Sequence, residues 1–362
     1  MKAFQLLGLV LTLTSCAVPT EDEGTESVEQ AATSKCPPRV CGLNAGELTN
    51  GGFFHSLNLD GLVNDEGYSL VSTSKNGSYY KLAVTNGKIS ASMTMGIVGA
   101  PTYLSGSNLA GTKLRLKKVT ANGTFYYNIT ISSVANTTDY WAKRTNGLPT
   151  PKIETYKLWF QGESSQIGAF LCQNGAEFVD PSSPVRAMPE HHALVFEGDL
   201  IDVATLSVTG SNPRWFNIGC AETALAKMQL NGHTYAAQPA GFSNTQSERQ
   251  TFLKMITADY CGIGNSFTVS GQKLRWSDDD GTMTIAWYIT KELEAHWGPN
   301  GATCLNTPRV IAHPTDASEA AFENGVWMEI DHWCQRPPPC SSSGIQAIPH
   351  LKSWNPTPFT TN

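Results

Sequence analysis

The sequence predicts an α+β protein that is predominantly antiparallel β. A β-rich N-terminal region is followed by a disulfide-stapled α+β domain with two short packed helices. Three observations lead there. Asn-Gly recurs at 50–51, 76–77, 86–87, 122–123 and 146–147, between runs that alternate apolar and polar residues. A type I′ hairpin turn needs positive φ at both central residues, which this dipeptide tolerates best. Helical periodicity enters only after about residue 215. Finally, the chain has nine cysteines and only 15% charged residues.

The strands follow in order. Ser78–Val84 (SYYKLAV) lies between two Asn-Gly turns. Thr112–Val119 (TKLRLKKV) alternates Leu with Lys and Arg, and Thr124–Val134 is β-branched and aromatic; the two are expected to pair across Asn122-Gly123. Thr155–Gln161, Ala193–Ile201 and Thr205–Gly210 read as further strands. Cys220–Leu230 then carries Ala221, Leu225 and Met228 on one helical face and stops at Asn231-Gly232. Thr245-x-x-Glu248 is a capping box, and Phe252, Met255, Ile256 and Tyr260 form the stripe of the helix it opens. A hairpin about Ser270-Gly271 and a strand over Thr282–Thr290 complete the pattern.

The N-terminus reads as a processing signal. Met1-Lys2 precedes an apolar run, Ala3 to Leu13, too short to span a bilayer as a helix. The run ends in Leu13-Thr14-Ser15-Cys16, which resembles the lipobox of bacterial lipoproteins. That resemblance implies cleavage before Cys16, its lipidation, and attachment to a membrane without spanning it. Ala17 stands where Asp would retain such a protein at the inner membrane, so the outer membrane is expected. The expected organisation is a signal peptide over 1–15, an acidic tether over 16–35, a β-rich region over 36–123, the α+β domain over 124–334 and a loosely ordered Pro/Ser-rich tail over 335–362.

Eight cysteines remain after Cys16, an even number in an oxidising compartment. Cys36 and Cys41 bracket a short loop and are expected to pair. Cys334 and Cys340, with prolines between, suit another small disulfide loop better than a zinc knuckle. Net charge is −6, with no basic stripe evident along the sequence, which argues against a nucleic-acid partner.

The segment Ala258-Asp259-Tyr260-Cys261, with the flanking blocks Arg214–Met228 and Glu294–Val310, resembles the ADYC domain. That family occurs in exported proteins and lipoproteins of myxobacteria and their relatives. The resemblance extends over roughly Thr124 to Cys334. It implies an exported, disulfide-stapled fold and carries no activity over. Met228 and Met255 stand where the family pattern often has cysteines, so contact between these side chains across the two helices is expected in place of a bridge. Pairing of Cys261 with Cys304, which share the family blocks, is expected, with Cys172–Cys220 as a further pair.

Catalytic signals are sparse. Cys261 follows a helix C-terminus and neighbours Asp259, and both disfavour a thiolate. The eight histidines lack metal-ligand spacing, and Glu190-His191-His192 reads as a loop. There is no Gly-x-Ser-x-Gly elbow, and Ser72-x-x-Lys75 runs into a hairpin. Asp278-Asp279-Asp280 reads as a solvated acidic turn. No cofactor is implied. The expected function is non-catalytic: a cell-envelope lipoprotein that binds a protein or a glycan. The competing reading is a secreted hydrolase whose site is assembled from distant residues such as His233, Asp259 or Glu197.

Overall fold

The computed structural model describes residues 54–139, 152–173, 177–180, 183–221, 223–236, 245–268, 274–277, 291–309, 328, 330–340 and 351–356. All belong to one unit, Cys36–Asn362. Cys16, Cys36, Cys41, the hairpin about Ser270-Gly271, the acidic turn at Asp278–Asp280 and the strand expected over Thr282–Thr290 lie outside the described residues.

The strands begin with β1 (Ser56–Asn58), β2 (Tyr68–Lys75), β3 (Ser78–Thr85), β4 (Lys88–Met95), β5 (Tyr103–Ser105), β6 (Lys113–Thr120) and β7 (Gly123–Asp139). They continue with β8 (Lys152–Gly162), β9 (Gly168–Phe170), β10 (Glu177–Asp180), β11 (Ser183–Met188), β12 (His192–Asp202) and β13 (Ser207–Cys220). Helices α1 (Ala224–Leu230) and α2 (Gln246–Thr257) follow, and then β14 (Arg275–Ser277), β15 (Lys291–Gly298), β16 (Gly301–Leu305) and β17 (Leu351–Pro356). An 11-stranded antiparallel sheet runs β1-β13-β12-β8-β7-β6-β2-β3-β4-β5, with β9 on β8. A 4-stranded sheet runs β14-β17-β15-β16. The strands joined by Asn76-Gly77 and Asn86-Gly87 turn at positive φ for both residues of each dipeptide, as the turn chemistry requires.

Alternation builds the first core. Tyr80, Leu82 and Val84 of β3 face inward while Tyr79 and Lys81 face out. Leu114 and Leu116, Ile129 and Ile131, Leu158 and Phe160 join them in one cluster. The sheet curls far enough that the β3–β4 turn reaches β12, where Asn86 and Gly87 N–H donate to the Glu197 carboxylate at 2.6 and 3.1 Å. β12 is a shared wall. Ala193 and Val195 enter this core, and the alternating Leu194 and Phe196 enter a second one formed with α1, α2 and the smaller sheet.

The cores therefore divide the chain near β12 and β13, whereas the sequence suggested a boundary at 123/124. That boundary falls in the β6–β7 hairpin of one continuous sheet. The tail expected over 335–362 also needs correction. β17 pairs with both β14 and β15, and Leu351 and Ser353 are buried. Its partners are distant in sequence, so local composition carries no trace of the pairing.

Both helices start as their caps dictate. Thr223 accepts from Ala226 N–H, and Thr245 and Glu248 form the full capping box. Met228 and Met255 are fully buried in the same cluster. Helix α2 has more than an apolar stripe in the interior: Arg249, Gln250 and Lys254 are buried as well.

Candidate functional site

The four residues that close α2 each have a separate structural task. Ala258 takes the left-handed conformation, φ 54°, that ends the helix, and Asp259 N–H turns back to Lys254 O at 2.9 Å. The Asp259 carboxylate is fully buried. It accepts from Lys254 Nζ at 2.6 Å and from the Ile263 and Gly264 amides at 3.2 and 2.8 Å. Lys254 also donates to Thr205 O at 2.7 Å and Gly262 O at 3.2 Å, so its buried ammonium is surrounded by acceptors.

Tyr260 reaches the other way. Its hydroxyl donates to Glu294 Oε1 at 2.6 Å and accepts from Arg309 N–H at 2.7 Å. Arg309 Nε completes a fully buried pair with Glu294 at 2.8 Å. The ring stacks on Trp297 at 5.2 Å, and Trp297 Nε1 donates to Ser353 Oγ on β17 at 2.7 Å. Burial, and then the Glu294 charge, pushes the Tyr260 phenol well above its ordinary range. Gly262 follows at φ 70° because the β15–β16 turn presses against it: a Cβ there would lie 2.1 Å from Asn300 O.

Cys261 bonds to Cys334, which corrects the expected Cys261–Cys304 pair. Cys304 bonds to Cys340, which corrects Cys334–Cys340. The two bridges interleave along the chain and tie the helix end and β16 to the 330–340 segment. Short sequence spacing between Cys334 and Cys340 suggested a local loop, but tertiary folding presents each to a partner on another element. Cys172 bonds to Cys220, as expected.

The ADYC domain family matches residues 106–311, and this range contains the motif, both helices and the buried ion pairs. The chain belongs to the ADYC domain family. The match starts earlier and ends sooner than the 124–334 span expected from the motif blocks, so the ADYC domain takes in β6 and the start of β7 while Cys334 falls beyond it. No curated protein and no solved structure matches the chain.

The residues named for a dispersed hydrolytic site occupy separate networks. Glu197 holds the β3–β4 turn, Asp259 holds Lys254, and the His233 ring stacks on Phe252 at 4.2 Å. Asp199 is a fourth buried carboxylate of the ADYC domain, beside Glu197, Asp259 and Glu294. It pairs with Arg249 at 2.8 Å, and burial outweighs that cation and raises its pKa to about 6. His191 and His192 diverge, the first donating toward Cys172 O at 3.0 Å and the second meeting Thr155 Oγ1 at 2.9 Å. Among the described residues no group of three His, Cys, Asp or Glu side chains is placed to hold a metal.

An open cleft of about 630 Å³ lies at the rim of the large sheet, between the start of β7 and the 160–169 segment of β8 and β9. Tyr127 and Phe160 stack at 5.2 Å in its lining, and Phe125 and Tyr126 are exposed at its mouth. Gln161, Glu163 and Ser165 supply the polar side. Arg115 fixes Glu163 through two hydrogen bonds of 2.6 and 2.9 Å, and its guanidinium lies 4.1 Å from the Tyr126 ring centre. Sequence reading found the Thr124–Val134 strand but missed the cleft, because the 160–169 segment that closes it is far away in the chain.

Proposed function

We propose that the chain is a non-catalytic lipoprotein of the cell envelope that acts by surface binding to a protein or glycan, with the Tyr126 cleft as the binding site and a glycan as its favoured occupant. One observation carries this reading. The reactive-looking residues of the motif are sealed in ion pairs and a disulfide, while exposed aromatic rings and an amide, a carboxylate and a hydroxyl converge on an open cleft. Flat apolar rings beside a few fixed polar groups suit the mixed faces of a sugar ring. Tyr126→Ala should weaken binding to envelope oligosaccharides about tenfold or more, the loss typical of a central aromatic contact. Titration of a panel of peptidoglycan and lipopolysaccharide fragments by calorimetry tests this. Absence of binding to every fragment, with an envelope protein retained equally by the wild type and Tyr126→Ala, would remove the cleft from the account.

Anchoring rests on Cys16. Mass spectrometry of the mature protein from membranes should find a diacylated or triacylated N-terminal Cys16. An unmodified N-terminus at another residue contradicts the anchor.

The hydrolase reading has one observation on its side. His192 Nε2 lies 3.4 Å from Ser133 Oγ while its Nδ1 meets Thr155. Thr155 Oγ1 donates onward to Ala135 O at 3.3 Å, so it accepts from the imidazole. Ser133 nevertheless sits within a strand, and neither it nor His192 lines the Tyr126 cleft.

A further inference from the structure

Between Glu66 and Asp139 the chain has no carboxylate and seven cations, from Lys75 to Lys118. All 31 carboxylates lie elsewhere, together with the other 18 of the 25 Lys and Arg residues. An acidic chain thus contains one basic block, and that block folds into β2–β7 of a single sheet. On β6, Leu114 and Leu116 enter the core, so Lys113, Arg115 and Lys117 alternate onto the outer face. Arg115 is matched by Glu163, which leaves the lysines to set the charge of this face.

The β4–β5 connection adds a second feature to the same region. Met95 pairs with Tyr79, Tyr79 with Ser74, and Ser74 with Lys113, so the four residues form a row across the sheet. Just beyond Met95, Ile97 is 60% exposed and Val98 is completely exposed. Both ends of this turn are fixed. Ile97 N–H donates to Ser78 Oγ, Ala100 N–H to Ile97 O, and Tyr80 hydroxyl to Pro101 O, each at 3.2 Å. The fold therefore holds two branched apolar side chains out in water. Met95, Tyr79 and Tyr103 are exposed around them.

We propose that this face docks on an anionic lipid surface, with Ile97 and Val98 entering the acyl boundary and Lys113 and Lys117 lying over the headgroups. Cations alone would fit any polyanion. The uncharged run from Ile89 to Thr112, with an apolar tip held rigid at its centre, fits only a partner that also offers hydrocarbon. A bilayer with anionic headgroups presents both in one plane. Tyrosines at the rim suit the interface between them. Lys117 is the cross-strand partner of Tyr126, so the face borders the cleft, and the proposal needs neither a cleft ligand nor an acyl chain on Cys16.

The test uses the full chain carrying Cys16→Ser, so that no acyl chain contributes. It should sediment with vesicles of phosphatidylcholine and phosphatidylglycerol, sediment little with pure phosphatidylcholine, and be released by high salt. Lys113→Glu with Lys117→Glu should weaken binding on the order of tenfold or more. Val98→Asp with Ile97→Asp should do the same at unchanged salt sensitivity, and both variants alter positions outside the core, so circular dichroism should match the parent. Equal binding to neutral vesicles, or no binding to anionic ones, overturns the proposal. So does binding that the turn variant leaves intact while soluble heparin competes it away, since that result assigns the face to a polyanion without lipid.

Discussion

Replacing Cys261 and Cys334 together by serine is expected to lower the unfolding free energy by roughly 2–4 kcal/mol. The two cysteines are 73 residues apart, and an isolated loop of that size would be worth about 4 kcal/mol on the chain-entropy model. The Cys304–Cys340 bridge overlaps the same segment and already restricts the unfolded chain, which places the expected loss below that value. The double replacement is the clean measurement because it leaves no single thiol to exchange with the neighbouring bridge. Cys261→Ser and Cys334→Ser should each lose a similar amount, and the double variant little more than either, because all three break one bond. Guanidinium titration checks this when midpoint and slope are read together, because opening the loop also lets the unfolded chain expand and steepens the slope. A catalytic Cys261 would behave differently: Cys334→Ser would then have no counterpart effect.

The second large effect is expected at Asp259. Asp259→Ala removes the carboxylate from a buried ammonium and from two backbone amides at once. Lys254 would retain only the Thr205 and Gly262 carbonyls. Breaking one side of a buried pair typically costs about 3–5 kcal/mol, because the stranded charge cannot regain water. Asp259→Asn keeps an acceptor for the amides and should lose less. Lys254→Met combined with Asp259→Asn removes both charges and should recover part of the loss, since no ion is then left unpaired. Denaturant titrations of the wild type, Lys254→Met, Asp259→Asn and the double variant close the cycle. Wild-type stability in Asp259→Ala would show that the carboxylate is not holding the helix end.

Both predictions concern a motif whose role only tertiary structure discloses. The sequence exposes Thr245 and Glu248 as a cap because their partners are three residues apart. It exposes β3, β4, β6 and β7 because turn chemistry and alternation are local signals. Cys261 is recognisable as a disulfide residue from the even count and the negative end of a helix. Its partner is not, because Cys304, Cys334 and Cys340 are equally plausible by spacing and the 330–340 segment must first be brought back to the helix end. Glu294 and Arg309 carry no local sign of their pairing with Tyr260, 34 residues or more away. β17 was hidden by the prolines and serines of the segment around it, although Leu351 and Ser353 alternate inward once the strand is paired. The basic block escaped a reading of net charge because carboxylates elsewhere in the chain outnumber it.

The same distinction explains the two halves of the functional account. Asp, Tyr and Cys in succession look reactive on paper, yet each side chain is sealed by a partner that folding supplies. The Tyr126 cleft has no motif at all and exists only where the 160–169 segment meets β7. A disulfide-stapled clasp holds the ADYC domain together, and the curled sheet beside it presents the surfaces available to partners.

The clasp is the central claim, and the most direct measurement is a peptide map of the native protein, alkylated with iodoacetamide before any reductant and digested without reduction. The account predicts no alkylated Cys261, with Cys261 recovered in a peptide joined to Cys334 and Cys304 in one joined to Cys340. Alkylation of Cys261 in the unreduced protein, or its recovery joined to Cys304, would contradict it.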